Sequence, residues 1–209
     1  SPEFVQWMND TGCQWVNIGA ESGSQTVLDS ISKDQKSEQI EWGLSNLAHY
    51  APHIEANLSF IFGLPAEDST ERQITIELID RLSRISPNIR SSICIYMPYP
   101  GTPLWPDALE RGYVPPPTQE GWAAFDLNRG NTPWISEAEA NAMSEISDIL
   151  YVGRSRGHWL LSPYYGLLRW RWLNQQFGFY WEGKLKRTGG QVIERIEPLR
   201  KLRDRYGHK

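Results

Sequence analysis

The stretch best placed to do chemistry is Gly19-Ala20-Glu21-Ser22-Gly23-Ser24, on the end of the apolar run Trp15–Ile18. It sets one carboxylate, Glu21, with Ser22 beside it, where a strand gives way to a turn of small residues. The glycines let backbone approach a ligand closely, and Glu21 offers two acceptor oxygens suited to ribose hydroxyls or an ammonium. The plainer alternative is a glutamate whose charge complements the N-terminal end of the next helix. Lys33 is either a solvated lysine or a cation that pairs a ligand carboxylate at the same mouth. A second junction, Ser59-Phe60-Ile61-Phe62-Gly63-Leu64-Pro65, puts Asn57, Ser59, Ile61 and Gly63 on one strand face by period-two alternation. The third, Tyr96-Met97-Pro98-Tyr99-Pro100-Gly101-Thr102-Pro103, is a proline-locked loop that presents tyrosines and limits solvent.

Three strands must hold these loops: Cys13–Ile18, Ala56–Phe62 and Arg90–Met97. The first reads as a strand covered on both faces, since it is apolar with few charges. Residues 5–11 look like the tail of a helix ended by Gly12. Val27, Leu28 and Ile31 stand at helical spacing. Ser37 can cap a helix with Ile40, Leu44, Leu47 and Ala48 on one face. Ser69 or Thr70 can cap another, with Ile74, Leu78, Ile79, Leu82 and Ile85 inward and Pro87 ending it. Strands alternating with helices mean parallel βαβ units, whose ligands bind at the C-terminal strand ends, where all three loops fall.

After Thr102 the character changes. Val114-Pro115-Pro116-Pro117 is a stiff connector, and Ser136-Glu137-Ala138-Glu139 is a capping box opening a helix through Met143, Ile146 and Leu150. Aromatics crowd residues 158–181 among Arg154, Arg156, Arg169 and Arg171, and Pro198 opens a last helix. The aromatics suit packing on the preceding helices, an apolar groove for a bulky anionic or lipid-like substrate, or peripheral membrane contact. The expected division is 5–112 and 113–209.

The chain has 209 residues, 40% hydrophobic and 22% charged, with net charge −4. Residues 1–153 carry −13 and residues 154–209 carry +9, a basic segment that balances the acidic body or meets an anionic partner. No run approaches the roughly 18 apolar residues of a membrane helix, and no signal peptide is visible; a cytoplasmic location is the default. The cysteines, Cys13 and Cys94, read as buried thiols. Ser1-Pro2-Glu3-Phe4 reads either as a vector-derived linker or as a serine N-cap with proline in the first turn.

Taken in order, Gly-Ala-Glu-Ser-Gly-Ser, the downstream lysine, Ser-Phe-Ile-Phe-Gly-Leu-Pro and Tyr-Pro-Gly-Thr-Pro-Leu resemble the second half of a radical S-adenosylmethionine enzyme core. The resemblance covers roughly residues 5–112 and is closest to the cobalamin-binding branch, with its C-methyltransferases and anaerobic magnesium-protoporphyrin ester cyclase. It implies an α/β fold: strands four to six of a partial TIM-type (β/α)6 barrel, followed by a mainly helical C-terminal domain. It also implies a partial S-adenosylmethionine site. Glu21, with Ser22, matches the contact at the fourth strand end, and Lys33 the position that reaches the carboxylate. Ser59 matches a polar position near the ribose, Gly63 the loop beside the adenosine, and Tyr96 with Pro98 the sixth-strand end.

The family's [4Fe–4S] cluster needs a Cys-x3-Cys-x2-Cys loop, which this chain lacks. The resemblance therefore implies a C-terminal fragment, with cluster and cobalamin bound elsewhere in the full enzyme and no catalytic or metal-ligating residue here. The reaction implied for that enzyme is methyl transfer or oxidative cyclisation at an unactivated carbon of a small-molecule or lipid-like substrate. The strand edge left open would be covered by a second copy of the chain or by the C-terminal segment. The alternative is a non-catalytic binding module whose aromatic basic segment does the work. Nucleic acid is not expected as a partner, because the body is acidic and no nucleic-acid motif is present.

Overall fold

A three-stranded parallel sheet in the order β1-β2-β3 organises the chain, with β1 Trp15–Glu21, β2 Glu55–Phe62 and β3 Ile89–Ile95. The structure is a computed structural model and describes residues 1–123, 132–152 and 162–178. It divides into two compact units, Ser1–Phe177 and Gly178–Lys209, and the description concerns the first. The division expected at residue 112 falls inside this unit. The helix expected from Pro198, residues 158–161 and 179–181 of the aromatic stretch, and Arg154 and Arg156 lie outside the described residues.

Helices fill the connections. α1 is Pro2–Asp10, α2 Gln25–Ser30, α3 Ser37–Tyr50 and α4 Ser69–Leu82. α5 Trp105–Glu110 and α6 Gln119–Ala123 follow β3, then α7 Glu137–Ser147 and α8 Ser162–Leu173. Ser136 opens α7 with the expected capping box, its hydroxyl accepting from Glu139 N. Two other caps differ from expectation. Asp68, one residue before Ser69, caps α4 by accepting from Thr70 N at 2.7 Å and Glu71 N at 3.0 Å. Lys36, not Ser37, stands at the α3 cap position, and its N–H donates to the Gln39 side chain. α7 continues as one π-helical turn, Asp148–Val152, and both pack against β3.

Strand alternation divides the sheet into two unlike faces. Ala56, Leu58, Phe60 and Phe62 of β2, and Ile89, Ser91, Ile93 and Ile95 of β3, are buried. The helices contribute Val27, Leu28, Leu44, Ile76, Ile79, Leu82, Met143 and Ile146 to the same core. The other face is half-open and polar. It carries Asn17, Asn57, Ser59, Arg90, Ser92 and Cys94. Asn57 donates to Asn17 across the strands, and Arg90 pairs with Glu55 at 2.9 Å. β1 is thus not covered on both faces: Trp15 is 66% exposed. The cysteines are also only half-buried, because Cys13 precedes β1 and Cys94 faces this open side. Ile74, expected inward on α4, is exposed, and Thr75 and Ile76 take the buried positions.

α8 lies against α4 through one buried carboxylate. Asp80 accepts from Arg169 Nε and Nη2, both at 2.8 Å, and from Arg84 at 2.6 Å. Beside it Trp172, fully buried, packs on Phe62, Tyr151 and Phe177.

Candidate functional site

β1 runs to Glu21, three residues further than the apolar run suggests. Gly19 pairs with Ser59 and Glu21 with Phe60, so Ala20 is the extra residue of a bulge. Immediately after it Ser22 N–H donates to Ala20 O at 2.8 Å, closing a tight three-residue turn on Glu21. That turn puts Glu21 at φ 61, a left-handed conformation costly for a residue with a side chain. Strain of this kind persists only where surrounding structure enforces it, and it collects at functional sites.

The surrounding structure here is α4. Ser22, buried, bonds through its hydroxyl to Thr75 Oγ1 at 3.0 Å, and Gly23 N–H donates to the same atom at 3.0 Å. A Cβ on Gly23 would lie 2.9 Å from Thr75 Cα, so only glycine permits this approach. Ser24 caps α2 by accepting from Val27 N and also bonds to Glu71. The small residues of the motif therefore dock the loop on α4, and Glu21 alone turns back to the open face. Glu21 does not cap α2; Ser24 holds that place.

Lys33 meets it there, its Nζ donating to Glu21 Oε1 at 3.2 Å. The end of α2 fixes that lysine. Ser32 adopts φ 54, Ser32 N–H donates to Asp29 O, and Lys33 N–H donates to Leu28 O, which is a Schellman ending. Gly19 completes the arrangement, since a Cβ there would occupy the space of Glu21 Oε1 and come 3.3 Å from Lys33 Nζ. Ser59 stands opposite Gly19 on the same face, with Ser92 opposite it on β3. Sequence reasoning took Cys94 only for a buried thiol, whereas it is half-buried and on this face. Burial, with the nearby Glu21 charge, pushes its pKa up. Its signal was two-residue spacing from Ser92 and Tyr96.

The remaining predicted residues sit at the rim with other duties. Gly63 has φ 80 and is buried, its N–H donating to Glu67 Oε1 at 3.2 Å. Tyr96 N–H extends the ladder to Phe62 O at 2.8 Å. Burial pushes the Tyr96 hydroxyl pKa up, helped by Asp107 and Tyr113. Pro98 is buried, and Tyr99 is half-exposed and stacked on Trp122. The structure thus gathers Glu21, Lys33 and Ser59 on one face with Gly63 and Tyr96 at adjoining strand ends, and turns Ser22 away. The two described arginines of the aromatic stretch are engaged internally, Arg169 with Asp80 and Arg171 with Gln176 O.

As chemistry, the open face offers a carboxylate, an ammonium and a hydroxyl above a glycine floor. That set suits a zwitterionic or ribose-bearing ligand. Among the described residues no cluster of three His, Cys, Asp or Glu side chains could hold a metal ion. Nor do two cysteines, one before β1 and one on β3, fit the three-thiolate set of a [4Fe–4S] cluster. Among the described residues no helix is long and apolar enough to cross a membrane.

No family model matches the chain. Curated proteins match over just under half of its length. A tRNA-2-methylthio-N(6)-dimethylallyladenosine synthase of Deinococcus radiodurans is 28% identical over 93 residues, 44% of this chain and 18% of that protein. The enzyme of the same name from Pelagibacter ubique is 31% identical over 87 residues, 42% of this chain and 19% of that protein. An uncharacterized methyltransferase of Pyrococcus horikoshii is 32% identical over 102 residues, 49% of this chain and 21% of that protein. The chain spans about a fifth of the length of these relatives. Such distant, partial likenesses agree with a radical S-adenosylmethionine relationship at the level of the superfamily and reach no finer.

Proposed function

We propose that this chain supplies the S-adenosylmethionine-facing wall of a radical S-adenosylmethionine enzyme, of the cobalamin-binding branch, acting by methyl transfer or oxidative cyclisation at an unactivated carbon. The three β/α units stand as the last half of a partial (β/α)6 barrel, and the open polar sheet face as its lumen. One observation carries the reading: Glu21, held at φ 61 at a parallel strand's C-terminal end and paired with Lys33 over Gly19.

In this reading Glu21 accepts hydrogen bonds from the ligand ammonium or ribose, and Lys33 moves from Glu21 to the ligand carboxylate. Ser59 bonds the ribose. Gly63, Tyr96 and Pro98 border the adenosine and substrate. A [4Fe–4S] cluster held elsewhere in the full enzyme would supply the electron for cleaving S-adenosylmethionine. This chain lacks the thiolates to hold it, so its own part is to bind and orient, and alone it is inactive. Two relatives are named for work on tRNA. The net charge of −13 over residues 1–153 disfavours a phosphate backbone on this part, and we assign a small-molecule or lipid-like substrate instead.

Titration of the whole chain with S-adenosylmethionine by equilibrium dialysis tests the proposal. Weak binding that Glu21→Gln reduces by roughly tenfold, the worth of a charge-assisted hydrogen bond, supports it. Absence of binding, or binding indifferent to Glu21→Gln, refutes it.

A further inference from the structure

Gly63 leaves β2 with two backbone polar groups to satisfy. The ladder ends one residue earlier, where Phe62 O accepts from Tyr96 N–H. Gly63 is buried, so water is a poor substitute. Two side chains from different parts of the chain supply the partners. Glu67 Oε1 accepts from Gly63 N–H at 3.2 Å, and Trp134 Nε1–H donates to Gly63 O at 2.9 Å. Ile135, next to Trp134, sits where a Cβ on Gly63 would be. The left-handed φ, the packing and both hydrogen bonds therefore over-determine one backbone residue.

Holding Glu67 there is costly. It is 7% exposed, Oε1 also accepts from Arg72 Nε at 2.7 Å, and Oε2 has no partner among the described residues. A half-satisfied buried carboxylate is a poor way to gain stability, and an apolar residue would serve that end better. What the carboxylate gains is a fixed direction for the Gly63 amide.

We propose that Trp134 and Glu67 are positioning residues, clamping both backbone polar groups of Gly63 and thereby setting the loop Gly63-Leu64-Pro65 at the edge of the ligand face. The role deepens the S-adenosylmethionine reading and rests on it. Segment 132–136, far along the chain from the strand ends, thus becomes part of the site's construction.

Trp134→Phe keeps the ring and removes the N–H. Glu67→Leu keeps much of the bulk and removes the oxygen that accepts from Gly63 N–H, and it keeps the idea refutable if Trp134→Phe fails to fold. Both are tested in the whole chain by S-adenosylmethionine titration, thermal melting and amide exchange in 15N-glycine-labelled protein. The expected result is an affinity loss of about fivefold, the worth of one net hydrogen bond, with faster Gly63 amide exchange and a cooperative melt. Wild-type affinity in both variants overturns the positioning role, whatever the exchange shows. If the unmutated chain itself shows no Glu21-dependent binding, the site reading fails separately. The clamp is then decided by exchange alone: faster at Gly63 in both variants upholds it, and no change overturns it.

Discussion

Gly19→Ala separates the proposed ligand site from the stability of the fold. The added methyl would occupy the place of Glu21 Oε1 and crowd Lys33 Nζ. Both neighbours are ends of long side chains, so they move and the strand stays. The lost Glu21–Lys33 pair has partners 19% and 35% exposed, and at that exposure a pair is worth about 0.2–1 kcal/mol. Replacing a strand glycine by alanine returns about 0.5–1 kcal/mol of backbone entropy. The two nearly cancel, and the melting temperature should stay within about 4 °C of wild type. Ligand affinity has no such compensation. Displacing the carboxylate removes a hydrogen bond to a charged group, about 1.5–3 kcal/mol, or roughly ten- to hundredfold in Kd. The assay is S-adenosylmethionine titration beside a thermal melt, for Gly19→Ala, Glu21→Gln and the double variant. Because both changes act on one carboxylate, the double variant should bind no worse than the weaker single. Additive losses, or a large fall in melting temperature, would refute the reasoning that Gly19 serves as a floor for Glu21.

Two further outcomes test the frame around the site. Trp172→Ala should cost about 3–5 kcal/mol in a denaturant or thermal melt, because the ring is fully buried against Phe62, Tyr151 and Phe177; a loss below about 1 kcal/mol would show that α8 is not part of the sheet's core. Burial pushes the Glu67 carboxyl above its ordinary 4.5, against the opposing pull of Arg72 and with a smaller push from Asp68. The folded state then holds the proton longer than the unfolded state, so Glu67's contribution to stability falls as pH rises from about 4.5 through its folded pKa. The stability difference between wild type and Glu67→Gln, followed by melts across pH, should shift against wild type over that range; parallel curves would contradict it.

The chain order of apolar runs and breakers determined the βαβ plan. Ala56–Phe62 and Arg90–Met97 fall within two residues of β2 and β3, and Ser136 with Glu139 announces α7, because alternation and capping are local physics. The sequence alone also singled out Glu21 and Lys33, the first by a strand followed by small residues, the second by its place after a short helix. It could not say that they meet. That depends on a bulge at Ala20 against β2, a left-handed Glu21 whose loop is docked on α4, and a Schellman ending at Ser32.

Ser22 shows the limit most clearly. Its type and position suit a ligand contact as well as Glu21's, and only α4, bringing Thr75 within 3.0 Å, turned it inward. The open polar face, Asp80's tie to Arg169 and the bond from Trp134 to Gly63 O likewise join residues too far apart in the chain for any periodicity to relate. Local spacing decides which face of a strand a side chain takes. What covers that face, and what a buried carboxylate finds there, is decided by non-local packing.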